Sequence, residues 1–79
     1  MICLSWNCRG LAIKPKKLAL KELMQRYNPD FIMLQETLGT SAEVERILGT
    51  LFPGWRFHAL DSHGHSGGVA VGYREGKIK

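Results

Sequence analysis

The sequence has few cysteines and no long apolar run, and these two shortages exclude whole classes of protein. Its two cysteines are Cys3 and Cys8. In an extended segment their Cα atoms lie roughly 16 Å apart at about 3.3 Å per residue, which is too far for a disulfide bond. We therefore expect free thiols and a reducing, intracellular compartment. No apolar run approaches the ~20 residues of a membrane-spanning helix, and no basic flank of a secretory signal precedes the first apolar residues.

Acidic residues are also in short supply. Seven Asp and Glu stand against eleven Lys and Arg, which gives a net charge of +4. This balance is compatible with a polyanionic partner, although a solvated lysine face on one helix would produce the same charge. The 79 residues suffice for one small domain, which would bury only about 60% of its unfolded surface and be marginally stable. We expect no membrane partner.

The first half of the chain has the pattern of a strand, a helix and a second strand. Residues 2–7 alternate as a strand does and end before Gly10. A helix begins near Pro15 and ends at Asn28, because Pro29 follows. Residues 30–37 form the second strand, whose apolar run at 31–34 is typical of a strand covered on both faces. The predicted core face of the helix consists of Leu20, Leu23, Met24 and Tyr27.

The second half adds a helix and two strands. Ser41 is the predicted N-cap of the second helix, which ends at residues 53–54. Residues 55–60 are a third strand, 61–66 a polar loop and 67–73 a fourth strand, followed by a basic tail. The order β-α-β-α-β-β predicts an α/β sandwich. The apolar edge of the last strand has nothing to cover it, so we expect an incomplete domain that can self-associate through that edge.

Two polar side chains stand where the first two strands end. Asn7 closes the first strand, and Glu36 lies near the end of the second. A strand–helix–strand unit with parallel strands brings both ends to one edge of the sheet, where open α/β sheets bind ligands. An amide and a carboxylate suit a divalent cation and a phosphate ester, because hard cations take oxygen ligands. The alternatives are a solvated carboxylate and a turn-forming asparagine.

Three segments together resemble the opening of the endonuclease/exonuclease/phosphatase superfamily. They are Trp-Asn-Cys-Arg-Gly at residues 6–10, Pro-Asp-Phe-Ile-Met-Leu-Gln-Glu-Thr at 29–37 and Ser-Gly-Gly-Val-Ala at 66–70. Within the superfamily the sequence is most similar to the endonuclease domain of LINE-type non-LTR retrotransposons, particularly plant elements. The resemblance implies a four-layer α/β sandwich of which residues 1–79 form about the first third.

The resemblance also implies an activity, which is magnesium- or manganese-dependent nicking of DNA in the nucleus. Glu36 matches the family's metal-binding glutamate, and Asn7 matches the asparagine that orients the carboxylate and the scissile phosphate. The family's later aspartate, asparagine and histidine residues have no counterpart here. We therefore expect weak or no metal binding and an inactive fragment. The alternatives are a phosphatase- or sphingomyelinase-like phosphoesterase, and a non-catalytic remnant or small basic nucleic-acid-binding module.

The remaining polar residues near these motifs have ordinary interpretations beside the functional ones. Arg9 can reach a phosphate or form a surface salt bridge, and Gln35 points away from Glu36 in a structural role. His63 and His65 resemble a transition-metal pair, but a surface loop is the better interpretation without further ligands nearby. The glycines at 67 and 68 are expected to allow close packing of the fourth strand.

Overall fold

The computed structural model describes residues 1–61 and 67–76, which form one four-stranded sheet and two helices. The elements follow the predicted order β-α-β-α-β-β. The predicted histidine pair, His63 and His65, lies outside the described residues. This order of elements confirms the predicted α/β class. The elements are β1 (Cys3–Asn7), α1 (Lys14–Tyr27), β2 (Phe31–Gln35), α2 (Ser41–Leu51), β3 (Trp55–Leu60) and β4 (Val69–Arg74).

The sheet is mixed, with the strand order β1-β2-β4-β3. β1 and β2 are parallel, and Asn7 is paired with Gln35 at their carboxyl ends. β4 runs antiparallel to both β2 and β3, so that β3 is itself parallel to β2. The prediction of self-association through an open edge of the last strand is therefore wrong, because β4 is paired on both sides. The chain therefore makes two crossovers that move in the same direction along the sheet. Right-handed crossovers of this kind place both helices on one face.

The core lies between that face and the two helices. From the sheet come Ile32, Leu34 and Ala70, all of them buried. α1 contributes Leu20 and Met24, while α2 contributes a row at helical spacing, namely Val44, Ile47 and Leu48. The amphipathic patterns of both helices are thus confirmed at their centres. At the end of α1 the prediction is wrong, because Tyr27 is 48% exposed and lies outside the core.

Within the described residues no helix covers the other face of the sheet, so β2, whose apolar run is typical of a strand covered on both faces, is covered on one face only. Met33 at the centre of β2 is 40% exposed, and Leu60 on β3 is 71% exposed. Phe31, Val71 and Tyr73 are half-buried on the same face. We call this face of the sheet the open face. Among the described residues nothing covers the apolar side chains of this face.

The ends of the helices are set by local chemistry. Pro15 lies in the first turn of α1, and Asn28 ends that helix in the left-handed conformation at φ 44°, which asparagine adopts more readily than most residues. The predicted N-cap of α2 is wrong by one residue. Thr40 has the extended backbone of an N-cap and its hydroxyl accepts the N–H of Glu43 at 3.1 Å, whereas Ser41 is the first helical residue.

Two glycines in the described residues allow close approach. Gly72 in β4 lies under the ring of Phe57, and a Cβ at Gly72 would stand 2.4 Å from that ring. Gly68 just before β4 has a φ of +85°, and a Cβ there would stand 2.6 Å from the Thr37 hydroxyl. Both distances are too short for a real contact, so these positions require glycine. For Gly68 this confirms the predicted packing role.

No helix within the described residues is long and apolar enough to cross a membrane.

Candidate functional site

The structure brings Asn7 and Glu36 into direct contact at the carboxyl edge of the parallel strand pair. Asn7 is the last residue of β1, and Glu36 directly follows β2. The Asn7 amide Nδ2 donates a hydrogen bond of 2.5 Å to Glu36 Oε2. The predicted juxtaposition of these two side chains is therefore confirmed. It arises because the parallel register places residues 7 and 35 side by side.

The backbone of Glu36 holds an uncommon conformation. Its φ is +54°, and Arg9 and Leu38 also have positive φ values of 48° and 56°. Left-handed backbone costs a non-glycine residue about 1 kcal/mol or more. It persists only where surrounding bonds impose it, and such positions cluster at functional sites. The turn after β2 is therefore shaped to present Glu36 at the edge of the sheet.

Backbone bonds hold this turn from both sides. From the segment after β1, Gly10 N–H donates to Glu36 C=O at 2.8 Å, and Leu11 N–H donates to Thr37 C=O at 3.1 Å. From the segment before β4, the carbonyl of Gly68 accepts the Thr37 N–H at 3.2 Å. The Gly67 carbonyl likewise accepts the Leu38 N–H at 3.2 Å. We call these four hydrogen bonds the clamp. The sequence analysis missed the clamp, although Gly67 and Gly68, two adjacent glycines that can adopt positive φ, were a signal for it.

The buried thiol of Cys8 packs against the same turn. Its side chain is fully buried, and its Sγ lies 3.2 Å from the Gln35 carbonyl and 3.7 Å from the Glu36 carbonyl. Burial raises the pKa of the Cys8 thiol, and the nearby Glu36 charge raises it slightly further. The thiol therefore stays neutral and donates a weak hydrogen bond to the backbone that presents Glu36.

The neighbouring polar residues contribute less to the pair. Gln35 Nε2 donates to Ser5 Oγ at 3.0 Å on the open face, so it links β1 to β2 and does not contact Glu36. Arg9 is exposed, and within the described part of the chain its guanidinium has no carboxylate partner. Thr37 is 2% exposed, and its Oγ1 makes no hydrogen bond to any described residue. Nothing in the sequence singles Thr37 out.

The oxygen atoms of the pair set what it can bind. Glu36 Oε1 and Asn7 Oδ1 accept no hydrogen bond from the residues described, so two oxygen donors of the type that hard cations prefer are available at one point. No cluster of three or more His, Cys, Asp or Glu side chains that could hold a metal occurs among residues 1–61 and 67–76. One carboxylate and one amide fit a magnesium ion that keeps most of its ligands from water or a phosphate.

The sequence and fold can be compared with those of known proteins. A family model described as "Endonuclease/Exonuclease/phosphatase family" matches residues 4–78. The sequence matches no curated protein. Two solved structures show the same fold. One is the 3′ phosphatase NExo from Neisseria bound to a product DNA hairpin, with a TM-score of 0.69 and 22% identity over 90% of this chain and 26% of that one.

The second is the AP endonuclease LMAP from Leishmania major. It has a TM-score of 0.68 and 26% identity over 91% of this chain and 23% of that one. The chain therefore spans about a quarter of the length of either structure. Both likenesses confirm the expected architecture, in which the sheet and its two helices correspond to part of a larger α/β fold.

Proposed function

The chain belongs to the endonuclease/exonuclease/phosphatase family, and we propose that it is part of a divalent-cation-dependent phosphodiesterase that acts on DNA. The observation that carries this proposal is the 2.5 Å bond between Asn7 Nδ2 and Glu36 Oε2 at the carboxyl edge of the sheet. The net charge of +4 supports a polyanionic substrate. The NExo structure, which holds a DNA hairpin, supports DNA as that substrate.

In this proposal each residue of the pair has a separate task. Glu36 would hold a magnesium or manganese ion, which when bound would stabilise negative charge on the phosphate and the leaving oxygen. Asn7 fixes the carboxylate through its amide N–H, and its own Oδ1 would be a further oxygen ligand for the cation. The clamped turn keeps the carboxylate in place before the cation arrives, which is the preorganisation that such a site needs.

Metal binding to the isolated chain tests this proposal. Manganese added to ¹⁵N-labelled protein is expected to broaden the resonances of residues near Asn7 and Glu36 selectively, at weak affinity because only one carboxylate is present. Glu36→Gln removes the charge at constant shape and should abolish the selective broadening. Glu22→Gln on the exposed side of α1 is the matched control and should leave it unchanged. Broadening that survives Glu36→Gln would refute the assignment.

We further propose a LINE-type retrotransposon endonuclease as the specific class, on the resemblance at residues 6–10 and 29–37, and expect this chain alone to be inactive. Hydrolysis requires a positioned water and a base, and neither is recognisable among the described residues. Supercoiled plasmid incubated with the protein and magnesium should therefore stay intact. Nicking by the wild type and not by Glu36→Gln would show that these residues suffice for activity.

A non-catalytic remnant or a small basic binding module is the other candidate for the same chain. The feature that favours it is the net charge of +4 together with the lack of a metal-binding cluster among the described residues. The manganese experiment separates the two. No selective broadening near Glu36, combined with binding of DNA in the absence of a divalent cation, would favour the binding module.

A further inference from the structure

A cleft opens at the edge of the sheet opposite to the Asn7–Glu36 pair. It has a volume of about 310 Å³ and lies between the second half of α1, the end of α2, the first residue of β3 and the last residue of β4. This volume is at the lower end of the range of small-ligand sites. We call it the amino-edge cleft, because β1 and β2 begin on this side.

The amino-edge cleft has a mixed lining, in which apolar side chains lie beside a fixed cation. Met24, Leu51 and Phe52 supply apolar surface. The guanidinium carbon of Arg74 lies 5.2 Å from the centre of the Trp55 ring. Arg74 Nη2 also donates to Asn28 Oδ1 at 2.8 Å and to the Pro29 carbonyl at 2.9 Å. The guanidinium is therefore held in one orientation before any ligand arrives.

Arg74 has N–H donors left over for a ligand. A guanidinium has five N–H donors in a planar fork, and the two bonds of Arg74 both come from Nη2 and end on neutral oxygens. The donors on Nη1 and Nε make no hydrogen bond to the residues described. A carboxylate is the group whose two oxygens match such a fork. Lys21 adds a second positive charge at the rim, and no acidic residue lines the cleft.

The charge balance favours a ligand with a single negative charge. Arg74 and Lys21 contribute about +2, whereas the C-caps of α1 and α2, Asn28 and Phe52, both line the cleft. Each helix C-terminus carries about −0.5 of an elementary charge, so the net charge at the cleft is about +1. A monocarboxylate neutralises this charge, and a phosphate dianion exceeds it.

We propose that the amino-edge cleft is a binding site for a small aromatic monocarboxylate, whose ring packs on the apolar lining and whose carboxylate pairs with Arg74. This site is separate from the Asn7–Glu36 pair and does not depend on the proposed phosphodiesterase function. It would be a second ligand site on the helix-covered side of the domain.

The probe is 3-phenylpropionate, titrated into the ¹⁵N-labelled chain while the two indole N–H resonances are followed. The Trp55 resonance should shift in a saturable way with a Kd of order 1 mM, as expected for a ligand of about eleven heavy atoms. Trp6 does not line the cleft and serves as the internal reference. The neutral isostere 3-phenylpropionamide should bind at least about fivefold more weakly because it cannot pair with the guanidinium.

Three charge-removing variants and the dianion phenyl phosphate complete the test of the proposed site. Arg74→Gln should weaken binding at least about fivefold, and Lys21→Gln about twofold because its ammonium is exposed. Lys14→Gln removes the same charge outside the cleft and should have no effect. Lys21→Gln keeps the test valid if Arg74→Gln fails to fold. Equal binding of the amide, tighter binding of phenyl phosphate, no effect of Lys21→Gln, or no saturable shift at Trp55 would each overturn the proposal.

Discussion

At the scale of single residues, the site depends on groups that are distant in sequence and adjacent in space. Asn7 and Glu36 are 29 positions apart and share a hydrogen bond. Cys8 lies directly beneath them, with its thiol against the Gln35 carbonyl. The motifs predicted the contact between Asn7 and Glu36, because a parallel strand pair brings strand ends together. They could not predict the support from Cys8, since a buried thiol usually acts as a small apolar side chain.

The two cysteines should differ in reactivity. Cys3 is exposed and Cys8 is buried with a raised pKa, so a chromogenic disulfide reagent at pH 8 should react at once with one thiol and with the second only as the protein unfolds. Cys3→Ser should remove the fast phase alone. Two fast thiols in the wild type would contradict the packing of Cys8.

The raised pKa of Cys8 also makes stability depend on pH. In the unfolded chain the thiol ionises near pH 8.5, whereas the folded thiol keeps its proton to higher pH. The unfolded state therefore binds fewer protons in that window, and the free energy of unfolding falls as pH rises above about 8.5. Below that pH the Cys8 thiol is protonated in both the folded and the unfolded state, so its ionisation does not change the free energy of unfolding. Chemical denaturation of Cys8→Ala should lack this alkaline loss.

At the scale of elements, the sequence predicts which helices and strands exist better than it predicts where they end and which strands pair. Residues 55–60 and the centres of both helices are predicted correctly, because their periodicity is strong. The predicted fourth strand, residues 67–73, begins two residues early, since Gly67 and Gly68 belong to the clamp on the turn at Glu36. Nor could periodicity predict that β4 inserts between β2 and β3. That pairing depends on contacts between distant segments.

The cap of α2 gives a sharp test at this scale. Thr40→Ala removes the hydroxyl that accepts the Glu43 N–H and should cost about 1 kcal/mol of unfolding free energy. In a domain of this size that corresponds to a fall in Tm of about 4–8 °C. Ser41→Ala is the matched control, because the Ser41 hydroxyl makes no bond to any described residue, and should change stability by less than about 0.5 kcal/mol. Thermal melts at one fixed protein concentration compare the two. The reverse order of effects would restore Ser41 as the cap.

At the scale of the whole molecule, the two faces of the sheet are unlike. The helix-covered face buries a continuous core, whereas the open face exposes Met33, Leu60 and Val69 by 37% or more. Contiguous apolar surface of this kind marks an interaction site. NExo and LMAP, which share this fold, are each about four times as long as this chain. The sequence predicted apolar residues on both sides of β2, but no pattern within it could say what meets the second side.

The open face predicts how the isolated chain behaves in solution. We expect the protein to self-associate, because two copies can bury their open faces against each other and remove apolar surface from water. Met33→Lys places a charge at the centre of that face and should raise the dissociation constant of the dimer at least about tenfold, since a lysine buried without a partner is costly. Leu18→Lys is the matched control, because Leu18 is 53% exposed on α1, away from the open face. Sedimentation velocity over a range of concentrations measures both. A wild type that is monomeric throughout and melts in one sharp transition would mean that the open face is stable in water as it stands.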